Sequence, residues 1–442
     1  MIKLITLCLA LLLTATFTHA QTTEQAADRT AIAQIQRYYN NNKPDSLYNL
    51  FDPIMKSALP VDKVSALFDQ MKAQLGPLKQ TTFMQYANGA AVYKGEYQND
   101  ALLIILSLSS LKQVNGLYFK PNKPIPPSAA PNKSADVKPA SVETVDPSVT
   151  ESPIVLKTLA GTLSGTLTMP KDAPEKLPLV LIIAGSGPTD RNGNSTQGLN
   201  TNTYKYIAEG LGKAGIASVR YDKRGIGKST SSSKEADTKF TDFVDDASAM
   251  LLSLKEDKRF SKFVILGHSE GSLIGMITAY SEPVNGMISV AGAGRPAYDV
   301  LIEQMKVKPP AVQEEFKGIL DSLRKGKTVP RVDPALYFIA RPSIQNYLMT
   351  WISYDPVRVI KKIKTSVLIL QGTTDTQVTV ADAEKLKKGK SEATLKIIDG
   401  MNHVLKAAPA DPEKNQATYN DPSLPIKPEF MTAVIDFIKV LK

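Results

Sequence analysis

Ser269 stands in Gly267-His268-Ser269-Glu270-Gly271, directly after the apolar run Phe263-Val-Ile-Leu266 and before a small, apolar, helix-compatible segment. Gly-x-Ser-x-Gly between a strand and a helix is the form of a nucleophile elbow, where the turn is so tight that side chains at the flanking positions would clash. The turn lifts the hydroxyl above the sheet edge, and the amides opening the next helix face any negative charge that develops there. This points to attack by a serine on an acyl carbon, which requires a base. The chain has three histidines: His19, His268 and His403. His19 lies in a segment expected to be removed, and His268, on the elbow itself, directs its ring away from the hydroxyl. His403 remains and is the expected base.

A carboxylate must hold that histidine's tautomer. The buried run Ser366–Leu370 ends at Gln371-Gly372, and the first carboxylate in the loop beyond it is Asp375. Loops at the carboxyl ends of parallel strands share one sheet edge, which would bring Asp375 to Ser269. Asp382 and Asp399 are alternatives, and an aspartate at 375 could instead serve only as a turn residue. The oxyanion donors are expected to be the amide of Glu270 and one from the loop Gly185-Ser186-Gly187-Pro188, with Ser186 favoured and Gly187 next; glycines there let backbone approach a tetrahedral intermediate. Read as a phosphate cradle, that loop lacks the Lys-Ser/Thr ending of a P-loop, and no helix begins at its glycines as a dinucleotide fingerprint requires.

These residues need a sheet to position them. Strands are expected at 154–158, 163–169, 178–184, 216–221, 263–267, 287–291, 366–371 and 394–398, and helices at 201–213, 240–256, 270–280, 379–388 and 428–441. Strands alternating with helices predict an α/β architecture, a mostly parallel sheet covered on both faces. Residues 295–355 interrupt the rhythm with Pro296, Pro309-Pro310, Pro330 and Pro334 and with amphipathic stretches such as Val312–Leu320. They are expected to form an inserted helical cap. Of its aromatic and Met side chains, Tyr337, Phe338, Tyr347, Met349, Trp351 and Tyr354, most should be packing residues and a few could line an acyl or leaving-group pocket.

Ahead of this domain, residues 24–75 carry helical periodicity and 78–119 read as strands, a small α+β domain over 21–120 without histidine, cysteine or a carboxylate cluster. A Pro-rich stretch at 121–153 reads as a semi-rigid linker. Residues 1–20 show Lys3, an apolar run from Leu4 to Phe17 and a small-x-small ending, the pattern of a secretory signal peptide, so an extracytoplasmic (periplasmic or secreted) protein is expected. The only cysteine is Cys8. It falls within that segment, so disulfides, thiol catalysis and cysteine-held metals are excluded from the mature chain, and no metal or cofactor is expected. The formal charge of +10 is dispersed and not interleaved with aromatic residues, which argues against nucleic acid. No other apolar stretch reaches membrane-spanning length.

Residues 154–442 resemble the α/β-hydrolase superfamily, and within it the bacterial secreted serine esterases with serine-aminopeptidase-like relatives. The resemblance rests on Gly185–Gly193, on Arg220-Tyr-Asp222-Lys-Arg224-Gly225-Ile-Gly227-Lys-Ser229 and on Gly267–Gly271, with Asn402-His403-Val-Leu-Lys406, Tyr419 and Leu424-Pro425 after them. The order Ser269, Asp375, His403 fits it. It implies hydrolysis of small carboxylic esters of modest acyl length through an acyl-enzyme on Ser269. By analogy with other turn networks, Asp222 and Arg224 are expected to form a structural ion-pair loop. A peptidase of the same fold is the nearest rival, for which Glu303, Glu314 or Glu315 could anchor a peptide terminus. A second rival gives the main role to the amino-terminal module, as a binder of glycan or envelope. The residues do not set the oligomeric state.

Overall fold

The computed structural model describes residues 24–442 apart from 53–54, 57–60, 88–89, 110–111, 122–145, 174 and 196–198. The expected signal peptide and most of the expected linker lie outside the described residues. The chain divides into two compact units, one reaching Asn132 with a short piece at Asp333–Ala335, the other Lys133–Val332 and Leu336–Lys442.

In the smaller unit, helices α1 (Ala26–Asn40), α2 (Pro44–Leu50) and α3 (Val61–Leu75) precede a meander of β1 (Leu78–Ala87), β2 (Ala90–Tyr97), β3 (Ala101–Leu108) and β4 (Val114–Pro121). All three strand pairs are antiparallel. Ile32, Ile35 and Tyr39, spaced three and four apart on α1, bury one stripe against Phe68, Tyr93, Ile104 and Leu106.

The larger unit carries β5 (Val149–Thr158), β6 (Gly161–Pro170), β7 (Leu177–Ile183), α4 (Thr203–Lys213), β8 (Ala217–Tyr221), α5 (Phe240–Lys255), β9 (Phe260–His268), α6 (Glu270–Ser281) and β10 (Gly286–Val290). Helices α7 (Ala297–Gln304), α8 (Pro310–Arg324), α9 (Tyr337–Ala340) and α10 (Gln345–Trp351) then intervene before α11 (Pro356–Ile360) and β11 (Ser366–Gly372). The chain closes with α12 (Val380–Gly389), β12 (Thr394–Ile398), α13 (Pro412–Ala417) and α14 (Pro428–Val440). The eight strands pair in the order β12-β11-β10-β9-β7-β8-β6-β5. From β12 to β8 the pairs are parallel; β6 and β5 are antiparallel.

Alternate residues of the central strands feed two cores. Leu179, Leu181, Ile183 and Ile265 meet α5 and α6 on one face; Val180, Ile182, Val264 and Leu266 meet α4 and α14 on the other. Burial on both faces explains why these strands read as continuous apolar runs.

The expected boundary at 154 is corrected: β5 begins at Val149, whose pairing with Pro170 opens the β5–β6 ladder. Pro153 concealed this. It stands in β5, which pairs only with β6, and an edge strand tolerates the missing N–H.

After β7 the chain crosses to β8 on one side; after β9 it crosses to β10 on the other. Strands β7 and β9 are neighbours, so their loops diverge and leave a crevice at their carboxyl ends. Gly185–Pro188 follows β7 and Ser269 follows β9.

Candidate active site

Ser269 has φ 57° and ψ −121°, a left-handed backbone rarely adopted by a residue with a side chain, and it heads α6. Such strain costs about 1–3 kcal/mol and persists only where the surroundings impose it. Here the Ser269 amide donates to the Val290 carbonyl at 2.8 Å, and the Ser272 amide donates back to the Ser269 carbonyl at 3.0 Å. The flanking glycines are required by backbone contact. A Cβ on Gly267 would fall 2.1 Å from the Gly271 carbonyl oxygen, and one on Gly271 would fall 2.4 Å from that of Ile183.

His403 lies in the loop after β12 and Asp375 in the loop after β11, and His403 Nδ1 is 2.8 Å from Asp375 Oδ2. Both side chains are buried, at 6% and 1% exposure. The carboxylate also accepts from the Gln377 amide at 2.8 Å, the Val378 amide at 3.0 Å and Gln371 Nε2 at 3.0 Å. Burial pushes the Asp375 carboxyl up, but the His403 charge and hydrogen bond and the two amides outweigh it and hold the group below its ordinary range. Asn415 ties the two loops together by donating to the Thr374 carbonyl at 2.8 Å, while the Thr374 amide donates to the Met401 carbonyl at 3.2 Å.

His268 links base and elbow. Its Nε2 is 2.8 Å from the His403 carbonyl oxygen, and its Nδ1 is 2.9 Å from the Tyr204 hydroxyl. Burial, and then the neighbouring His403 charge, lower its pKa to about 3, so the ring is neutral. A carbonyl cannot donate, so Nε2 carries the proton and Nδ1 accepts from Tyr204. That hydroxyl in turn accepts from the Gly185 amide at 3.0 Å. One chain of hydrogen bonds therefore runs from the loop after β7, through α4 and the elbow, to the backbone of His403. The ring is engaged away from the serine, as expected. No hydrogen bond joins the Ser269 hydroxyl to His403, a contact that often tightens only when substrate binds.

The loop after β7 packs close to the elbow: a Cβ on Gly185 would lie 3.2 Å from the Ser269 Cβ. Gly187 has φ 83°. The Glu270 amide opens α6, where a helix leaves its N–H without an intrahelical acceptor. Arg191 anchors the loop. Its guanidinium reaches Asp222 Oδ2 at 2.6 Å and Ser164 Oγ at 2.8 Å, and its amide donates to Asp222 Oδ1 at 2.8 Å. Asp222 and Arg224 are both in ion pairs, each with a partner outside their motif: Asp222 with Arg191, and Arg224 with Asp246 at 2.8 Å and Asp242 at 3.3 Å.

A cavity of about 690 Å³ opens beside Ser269, Ser186 and Glu270. Phe243, Leu273, Leu301, Ile344, Leu348 and Trp351 contribute to its apolar wall. Phe338, Tyr347 and Trp351 of the cap aromatics reach it, whereas Tyr337, Met349 and Tyr354 do not line it. The alternatives to Asp375 are committed elsewhere. Asp382 pairs with Arg295 at 2.7 Å, and Asp399 accepts from Thr373 at 2.9 Å. Among the described residues there is no grouping of histidine, cysteine and carboxylates that could hold a metal ion.

Residues 198–407 match the family model described as serine aminopeptidase, S33, a span that contains Ser269, Asp375 and His403. That match and the strand order of the sheet that carries it agree. The larger unit has the α/β-hydrolase fold. Residues 33–117, in the smaller unit, match a family described as a protein of unknown function, DUF3887. The chain is 27% identical over 399 residues to esterase EstD of Thermotoga maritima, covering 86% of this chain and 88% of that protein. Among solved structures it is similar to Est1E from Butyrivibrio proteoclasticus bound to ferulic acid, at 19% identity and TM-score 0.42, over 65% of this chain and 96% of that one. It is also similar to the Pyrococcus furiosus esterase Pf2001, at 15% identity and TM-score 0.42, over 66% and 94%.

Residue patterns alone did not reveal four participants in the site: Tyr204, Arg191, Lys223 and Gln371. Arg191 and Lys223 lie inside motifs already singled out, so their position was a signal, but their partners are not adjacent in sequence.

Proposed function

We propose that this hydrolase cleaves carboxylic esters of short to medium acyl chains through an acyl-enzyme on Ser269. The observation that carries the reading is the strained Ser269 at the head of α6, on the sheet edge where the loops bearing Asp375 and His403 also lie. With Nδ1–H bound to Asp375, the His403 ring presents the Nε2 lone pair to the serine proton. Ser269 Oγ attacks the acyl carbon, and the tetrahedral oxyanion is held by the amides of Ser186 and Glu270. His403 gives its proton to the leaving alcohol. Water, activated by the same ring, then attacks the ester on Ser269 and releases the acid.

The apolar cavity supports a substrate with a hydrocarbon acyl part, of a size that about 690 Å³ accommodates. It also favours an ester over a peptide. Among the described residues, the two carboxylates on its wall are Glu235 and Glu270. Glu235 is held by Arg341 and Ser343, and Glu270 by Lys223 and Tyr347, so neither is left for a substrate ammonium. Glu303 is paired with Arg295. We place the enzyme outside the cytoplasm, on the basic start and apolar run of residues 1–20.

Acid-quenched mass spectrometry after mixing with p-nitrophenyl butyrate tests the mechanism. A butyryl group on the peptide containing Ser269 is expected; turnover with no acyl adduct, or an adduct elsewhere, would overturn it. Turnover of an aminoacyl arylamide exceeding that of the esters would favour the peptidase.

A further inference from the structure

We infer that Lys223 is the positioning residue of the oxyanion site, orienting both of its donors at once. The inference rests on the reading of Ser186 and Glu270 as those donors. Lys223 follows β8 and its side chain is 8% exposed. Its ammonium lies 4.5 Å from the centre of the Phe243 ring, donates to the Gly185 carbonyl at 3.1 Å and reaches Glu270 Oε2 at 3.3 Å.

Each contact bears on one donor. The Gly185 carbonyl and the Ser186 N–H belong to one peptide unit, planar and trans, so they point in opposite directions. Fixing the oxygen fixes the hydrogen. The peptide before it is pinned as well, since the Gly185 amide donates to Tyr204. The second contact holds Glu270, whose own amide is the other donor. Its carboxylate is fully buried and is held by Lys223 on Oε2 and by the Tyr347 hydroxyl on Oε1 at 2.8 Å. One cation thus joins the loop after β7 to the first residue of α6 across the crevice. Preorganised amides stabilise an oxyanion because they need not reorient as charge develops. Lys223 supplies that rigidity without touching the reacting atoms.

Lys223→Met removes the charge and keeps the stem. Because it also leaves the Glu270 carboxylate buried with one partner, the double variant Lys223→Met with Glu270→Gln is made beside it. In the double variant no unpaired charge remains, but the Gly185 carbonyl is still unanchored. The readouts are kcat and KM for p-nitrophenyl acetate and the inhibition constant of a trifluoromethyl ketone, which adds to the serine as a tetrahedral hemiketal. Ser269→Ala is assayed in parallel. Losing an oxyanion donor outright costs roughly 100–1,000-fold in kcat, so loosening two should cost about 10–100-fold. Both variants should show that loss with KM changed less than about threefold, and ketone affinity should fall in step with kcat/KM. Recovery of wild-type kcat in the double variant would assign Lys223 to neutralising Glu270 alone and overturn the inference. So would a kcat loss that leaves ketone affinity unchanged. Activity persisting in Ser269→Ala would instead overturn the serine reading, independently of Lys223.

Discussion

The Nε2 of His268 lies 2.8 Å from the carbonyl oxygen of His403, so the residue before the proposed nucleophile holds the backbone of the proposed base. Through Tyr204 the same ring is tied to Gly185. Nucleophile, base and oxyanion loop are therefore registered to one another by a buried neutral imidazole.

Replacing that ring should loosen the site and lower stability together. His268→Phe keeps a planar ring but leaves the Tyr204 hydroxyl and the His403 carbonyl without their partner, at about 1–3 kcal/mol for each unsatisfied group. Urea denaturation should show a lower midpoint, and kcat should fall by roughly tenfold or more as the His403 loop relaxes. An unchanged midpoint would refute the linking role.

The same ring gives the folded protein a defined pH response. Its pKa drops from 6.5 in the unfolded chain to about 3 in the fold. Below 6.5 the unfolded chain binds a proton that the folded one refuses, so this stability contribution is complete above 6.5 and is lost as pH falls toward 3. The slope is about 1.4 kcal/mol per pH unit, or about 2 kcal/mol between pH 6.5 and 5. The depressed Asp375 pKa acts in the same direction only below about 4. Denaturation at the two pH values should give the difference in the wild type and lose that component in His268→Phe.

Asp375→Asn removes the charge and offers His403 an amide where it meets a carboxylate. The tautomer with Nδ1–H bound loses its strongest acceptor, and kcat should fall by about 1,000–10,000-fold with little change in KM. Asp399→Asn, whose aspartate accepts from Thr373 on the strand turn, should keep kcat within about twofold of wild type. The two together separate the assigned carboxylate from its neighbour in sequence.

The elbow's glycines make a steric prediction. A Cβ at 271 would fall 2.4 Å and 2.5 Å from the carbonyl oxygens of Ile183 and Ala184, and strand backbone cannot yield as a side chain can. Gly271→Ala should cost roughly 3 kcal/mol, read as a lower melting temperature. Gly185→Ala meets the Ser269 Cβ at 3.2 Å, a milder contact, and should reduce kcat more than stability.

Much of this was legible beforehand because central strands buried on both faces appear as apolar runs ending in glycine, and because few histidines were available. The runs before Gly185, Gly267 and Gly372 marked the strand ends, and the loops beyond them hold Ser186, Ser269 and Asp375. The couplings between motifs were not legible. Arg191 reaches Asp222, and Lys223 reaches Gly185 and Glu270, across sequence separations of 31, 38 and 47 residues. No periodicity encodes such contacts; they exist only once β7, β8 and β9 lie side by side. For the same reason the partners of Asp222 and Arg224, which are Arg191 and Asp246, could not be read from the motif that holds them. The proline in β5 hid a strand because a ladder on one side only can lack a donor.

The most direct test of the account is the turnover of p-nitrophenyl acetate by Ser269→Ala, with the fold checked by circular dichroism. The account predicts an intact fold and a kcat lowered by at least about 1,000-fold, with the residual activity left to the oxyanion amides and binding. Wild-type turnover by the folded variant would contradict it.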